Sequence, residues 1–138
     1  DIPVVQLSLN RLQSAEWHFN LAKRLSALRE QGVLIIGSGN IVHNLRVISW
    51  EHIDQIGASY DWAFAFRETI NQAIATQDDK TLVHYEQLGE KAEFSVPTPD
   101  HYLPLLYIMA LREPQDEITF FNDNLIAGSL SMTSVLVG

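Results

Sequence analysis

Residues 33–36, Val-Leu-Ile-Ile, form an unbroken apolar run closed by Gly32 on one side and Gly37 on the other. A half-exposed strand alternates apolar and polar side chains. A continuous aliphatic run is instead the pattern of a strand covered on both faces, as in a parallel sheet. Upstream, Trp17, Leu21, Leu25 and Leu28 recur at spacings of four, four and three, one apolar stripe on a helix from about Ala15 to Glu30. Gln31-Gly32 stops that helix, with Gly32 where a helix end needs positive φ. Pro3–Leu9 (PVVQLSL) is short and rich in β-forming residues, and reads as a first strand. Strand, helix and strand in succession make a βαβ unit with a right-handed crossover. The expected fold is therefore α/β, a central and mostly parallel sheet flanked by helices, with Pro3–Leu9 and Val33–Ile36 as neighbouring strands.

Further along, Leu45–Gly57 reads as irregular. A helix is expected from Asp61 to Ala75, with Asp61 as N-cap or first-turn acid. Asp78-Asp79 open another over about Lys80–Leu88, ended by Gly89. Ser95–Asp100 (SVPTPD) is a proline-punctuated turn leading into a helix from about His101 to Leu111, with Pro99 and Pro104 near its first turn, where a missing N–H is tolerated. Glu117–Phe121 and Met132–Val137 read as strands, joined by a loop around Asn122–Gly128.

The 138 residues suffice for one domain with a core. Both ends enter strand patterns abruptly, so residues 1–138 are expected to be a portion of a longer chain. With 17 acidic against 9 basic side chains the formal net charge is −8. With no basic cluster to offset it, this argues against nucleic acid or an anionic membrane as partner. There is no cysteine, so a metal site here must use His, Asp or Glu. The same absence is compatible with the cytoplasm expected for the protein.

Gly37 and Gly39 fit the first two positions of a dinucleotide-binding turn, but Val42 stands where the third glycine belongs and no helical pattern opens directly behind. The alternative is that GSGNIVHNL, hanging from a strand end, offers His43 to a site, because ligands of open α/β sheets sit beyond the carboxyl ends of strands. His43 as a loop histidine bonded to backbone stands equally open. His101 follows a rigid Pro-Thr-Pro-Asp turn that could aim its ring at a metal, or it is an incidental first-turn residue behind an Asp100 cap. His18, His52 and His84 lie on an apolar helix edge, in a polar run and on a short helix, settings that favour structural roles. The serines of GSGNIV and GSLSM stand beside glycines, but neither stretch is the G-x-S-x-G of a nucleophile elbow.

LIIGSGNIVHNLR, PTPDHYLPLLY and GSLSMTSVLV, with DWAFAFRETI between them, resemble in order and spacing the class III extradiol ring-cleavage dioxygenases, most closely the 4,5-DOPA extradiol group. The resemblance implies that residues 1–138 are the C-terminal portion of one catalytic α/β domain. It implies His43 as acid/base catalyst beside a metal and as a metal contact, His101 as a metal ligand, and the two imidazoles within about 6–7 Å of each other. It also implies Fe(II) for activity, Zn2+ as an alternative occupant, and a catechol and O2 as substrates. Further metal histidines would come from an N-terminal half of the same protein. A non-catalytic binding or scaffold member of the superfamily is the alternative function.

Overall fold

The computed structural model describes all 138 residues, Asp1–Gly138. α1 spans Ala15–Lys23, and the Ser14 hydroxyl caps it by accepting from the Trp17 N–H. α2 is the single turn Ala27–Glu30. The continuous helix expected over Ala15–Glu30 is broken between them. There Arg24, Leu25 and Ser26 each donate to the carbonyl three residues back instead of four, and this tighter turn offsets the second piece. The buried face also differs from the expected stripe. His18, Phe19 and Ala22 face inward while Trp17 is 41 % exposed. The reason is the partner: α1 packs on the late helix α6, Leu103–Ala110, whose Tyr107 hydroxyl lies 2.9 Å from His18 Nδ1. His18 Nε2 donates to the Asn10 carbonyl, so Nδ1 accepts from Tyr107, and this histidine is a satisfied core residue.

α3 runs from Asp61 to Ala75 as expected and buries Ala63, Phe66, Ile70, Ala73 and Ile74. α4, Asp79–Val83, is capped by the Asp78 carboxylate on the N–H and hydroxyl of Thr81. A 3-10 turn, Tyr85–Leu88, follows and ends at Gly89 with φ +72°. The next helix, α5 at Glu90–Ser95, lacked a sequence signal of its own. Another 3-10 turn at Pro99–His101 leads into α6, with Pro104 in its first turn. Phe66, Ile70, Leu82, Tyr102, Leu103, Leu106 and Met109 make the centre of the core.

Both strand pairs are antiparallel, and one isolated bridge, Ser59 with Gly128, is parallel. β1, Ile118–Phe121, pairs with β4, Ser134–Val137, in the register Ile118↔Val137. Between them β2, Leu125–Ile126, and β3, Leu130–Ser131, form a small hairpin, whose Ala127 and Gly128 both have positive φ. The protein is α/β, but the expected central parallel sheet is not formed by these residues. Pro3–Leu9 and Val33–Ile36 run outside any sheet, and no backbone hydrogen bond involves residues 2–9 or 34–39. Ile2, Val4 and Val5 are each about 90 % exposed, and Leu34 and Ile36 about 80 %. An apolar run specifies a side-chain pattern, but a strand also needs a hydrogen-bonding neighbour that its own residues cannot supply, and neither segment has one here. No helix is long and apolar enough to cross a membrane.

One ion pair ties the two ends of this arrangement. Arg29 of α2 grips the Asp116 carboxylate with both guanidinium nitrogens, at 2.6 and 3.1 Å, and also donates to the Leu111 carbonyl. Asp116 accepts from the Glu113 N–H as well, and the Arg29 hydrogen bond above all holds its carboxyl below the usual range. A lowered folded-state value means stabilisation that is complete above the unfolded carboxyl's value, near 4, and lost as pH falls through the folded one. Asp116→Asn is therefore expected to cost about 1–2 kcal/mol at neutral pH. Denaturant titrations at a series of pH values should show the gap between parent and variant closing below about pH 4.

Candidate active site

The loop after the extended segment 33–36 is held by backbone bonds to three other parts of the chain. Asn40 N–H donates to the His101 carbonyl at 2.9 Å, His43 N–H to the Ser95 carbonyl at 2.8 Å, and Asn44 N–H to the Ser129 carbonyl at 3.1 Å. The Ser131 N–H donates back to the Val42 carbonyl at 3.0 Å, and His43 forms a bridge with Leu130 of the hairpin. Side chains close the same seam. Asn40 Nδ2 donates to the Ser131 carbonyl, Asn44 Nδ2 to the Phe94 carbonyl, and the Ser129 hydroxyl to the Asn44 carbonyl. Ile41, Val42, His43 and Asn44 are all buried as a result.

This seam brings His43 and His101 together. Their rings stack with centroids 4.0 Å apart and planes inclined by 18°, well inside the expected separation. The two differ in setting. His43 is 8 % exposed, and burial, reinforced by the neighbouring His101, pushes its pKa down against a smaller opposing pull from Asp100. His43 is thus neutral at neutral pH. The His101 side chain is 48 % exposed, and its Nε2 lies 3.4 Å from a carboxylate oxygen of Asp100. Asp100 itself is held below the usual carboxyl range, first by the Thr98 hydroxyl.

His43 Nδ1 is buried without a hydrogen-bond partner, and so is the Ser95 hydroxyl. A neutral imidazole with a free buried nitrogen beside a second, half-exposed imidazole suits a transition metal in kind of donor. In number the set falls short, because no group of three or more His, Asp or Glu side chains converges anywhere in the chain. In geometry it is also unfinished. Ring planes about 4 Å apart and tilted by 18° meet far beyond a metal–nitrogen bond of about 2.1 Å. One ion can therefore lie in both planes only after a ring turns, and the exposed His101 is the one with room.

His18 is a core residue, as described, and His52 Nδ1 pairs with the Ser49 hydroxyl at 2.7 Å. His84 lies half-buried just after α4. Sequence reading passed over Asn40, Asn44, Ser95 and Ser129 as parts of the site. The serines of GSLSM, noted only as not forming a nucleophile elbow, serve as hydrogen-bond partners to the His43 loop. An apolar groove of about 360 Å³ between residues 32–35, α6 and Val137 includes neither histidine.

No family model matches the chain. Along its whole length it is 42 % identical to 4,5-DOPA dioxygenase extradiol of Escherichia coli strain K12, covering 51 % of that protein. It is 33 % identical to the protein of the same name from Portulaca grandiflora, over 76 % of this chain and 38 % of that one. The Beta vulgaris protein of that name is 28 % identical over 97 % of this chain and 48 % of its own length. The chain thus spans about half the length of the curated relatives it matches. A crystal structure of an uncharacterised E. coli K12 protein superposes with a TM-score of 0.88 at 40 % identity, over 98 % of this chain and 55 % of that one. With one relative 42 % identical from end to end and the others bearing the same name, a class III extradiol dioxygenase assignment is the one that these similarities support.

Proposed function

We propose that this chain carries part of the active site of a metal-dependent dioxygenase that opens the ring of a catechol, such as L-DOPA, with O2. The observation that carries the reading is the His43–His101 stack, formed by residues far apart in sequence and held by a backbone seam. Bound Fe(II) would supply open coordination positions for a bidentate catecholate and for O2. His101, exposed and free to turn, is the ligand on this reading. His43, buried and neutral, is the group that takes a proton from a catechol hydroxyl and holds it beside the reacting ring. His43 Nδ1 is buried without a partner, and an incoming ligand or proton would satisfy it. Two imidazoles accept Zn2+ as readily as Fe(II), and activity is therefore to be read on iron-loaded protein.

The remaining donors are proposed to come from an N-terminal half of the same protein. The exposed apolar rows of residues 2–7 and 33–36 are the edges on which strands of that half would pair, completing a parallel sheet. The 138 residues alone are expected neither to retain iron through gel filtration nor to consume oxygen with L-DOPA. The longer protein should do both. Ring cleavage by the 138 residues alone would refute this division of the site, and metal retention by the longer protein without oxygen uptake on any catechol would favour a binding role.

The two histidines should separate in a mutant pair. His43→Ala is expected to lower turnover by about 10²–10⁴-fold with iron content nearly unchanged. His101→Ala should lose the metal itself. Iron titration alongside steady-state rates decides between these roles, and equal metal loss in both variants would make His43 a ligand.

A further inference from the structure

Gly37 and Gly39 lack the positive φ that usually explains a glycine. What they lack is room. A Cβ built on Gly39 would sit 2.1 Å from the His101 carbonyl oxygen and 3.3 Å from Pro104 Cγ. A Cβ on Gly37 would sit 2.7 Å from the Pro104 carbonyl oxygen and 3.0 Å from Ile108 Cγ1. The loop therefore presses its bare backbone against the start of α6, one turn for each glycine. At position 39 the pressed atom belongs to His101 itself, and the next residue, Asn40, donates its N–H to that same carbonyl.

We propose that Gly39 is a positioning residue: its missing side chain lets the His101 backbone approach closely enough for the His101 ring to stack on His43. Backbone cannot yield to a methyl group as a flexible side chain can. An oxygen at 2.1 Å must move by about 1.3 Å or more to reach ordinary contact, and the shift falls on the 97–101 turn. The 39–40 backbone is meanwhile held in place by Asn40 Nδ2 on the Ser131 carbonyl. Moving the turn separates the two rings while the core behind them, made of α3, α4 and α6, keeps its contacts. Gly37 provides the comparison, because it presses on the same helix without touching His101.

The proposal rests on His43 and His101 forming one site, and two readouts test it apart from the metal reading. In the metal-free whole protein with labelled histidines, the stack predicts a nuclear Overhauser cross-peak between the His43 and His101 ring protons. Gly39→Ala should lose that cross-peak, with far-ultraviolet circular dichroism unchanged, and should bind Zn2+ about 10–100-fold more weakly. Gly37→Ala should keep the cross-peak and bind Zn2+ within a few-fold of the parent. A cross-peak retained in Gly39→Ala overturns the proposal. Equal damage from the two substitutions, whether loss of the cross-peak or of the fold, does so too, because Gly39 is then only a packing residue. Loss of the cross-peak in Gly39→Ala alone, with Zn2+ affinity unchanged, upholds the positioning role and overturns the metal reading instead.

Discussion

Four backbone hydrogen bonds along residues 40–44 hold the site of this protein together. They link these residues to the His101 carbonyl, the Ser95 carbonyl, and the turn and second strand of the β2–β3 hairpin at Ser129 and Ser131, so one short loop fastens two helical regions and a hairpin. Buried backbone groups must be paired, and here the pairing is done by elements separated by fifty to ninety residues of chain. Each partner is indispensable to the others' positions. Without the hairpin, Val42 and Asn44 lose their partners. Without the end of α5 or the turn before α6, His43 and His101 no longer meet.

The seam also accounts for the electrostatic difference between the two histidines. Burying residues 41–44 lowers the pKa of His43 and keeps its ring neutral, while His101 stands on a turn open to solvent and beside Asp100. Two copies of one side chain thereby sit in unlike settings, one buried, the other half-exposed beside a carboxylate. The same rigidity that confines His43 leaves its Nδ1 without a partner, a cost tolerated more readily where a ligand or proton later occupies the vacancy.

Much of this was legible beforehand. Helix α3 lies where the periodicity put it, Gly32 and Gly89 end their segments with positive φ, and the candidate histidines come together as their motifs implied. These features depend on local pattern or on a motif shared with relatives. The misreadings have one cause. The helix stripe Trp17–Leu28 was displaced because Tyr107, far away in sequence, draws His18 inward, and the expected parallel strands are absent because neither Pro3–Leu9 nor Leu34–Ile36 has a backbone partner to pair with.

Local chemistry, then, determined the longest helix, α3, and the glycines that end segments with positive φ. Tertiary structure decided what those residues face. The role of Gly39 shows the difference. A glycine in a loop reads as a turn, yet its φ is ordinary, and what requires it is a carbonyl oxygen sixty-two residues further along the chain, at His101. Periodicity and turn propensity report interactions within a few residues, whereas close approach between distant backbones is set only when the whole chain has packed.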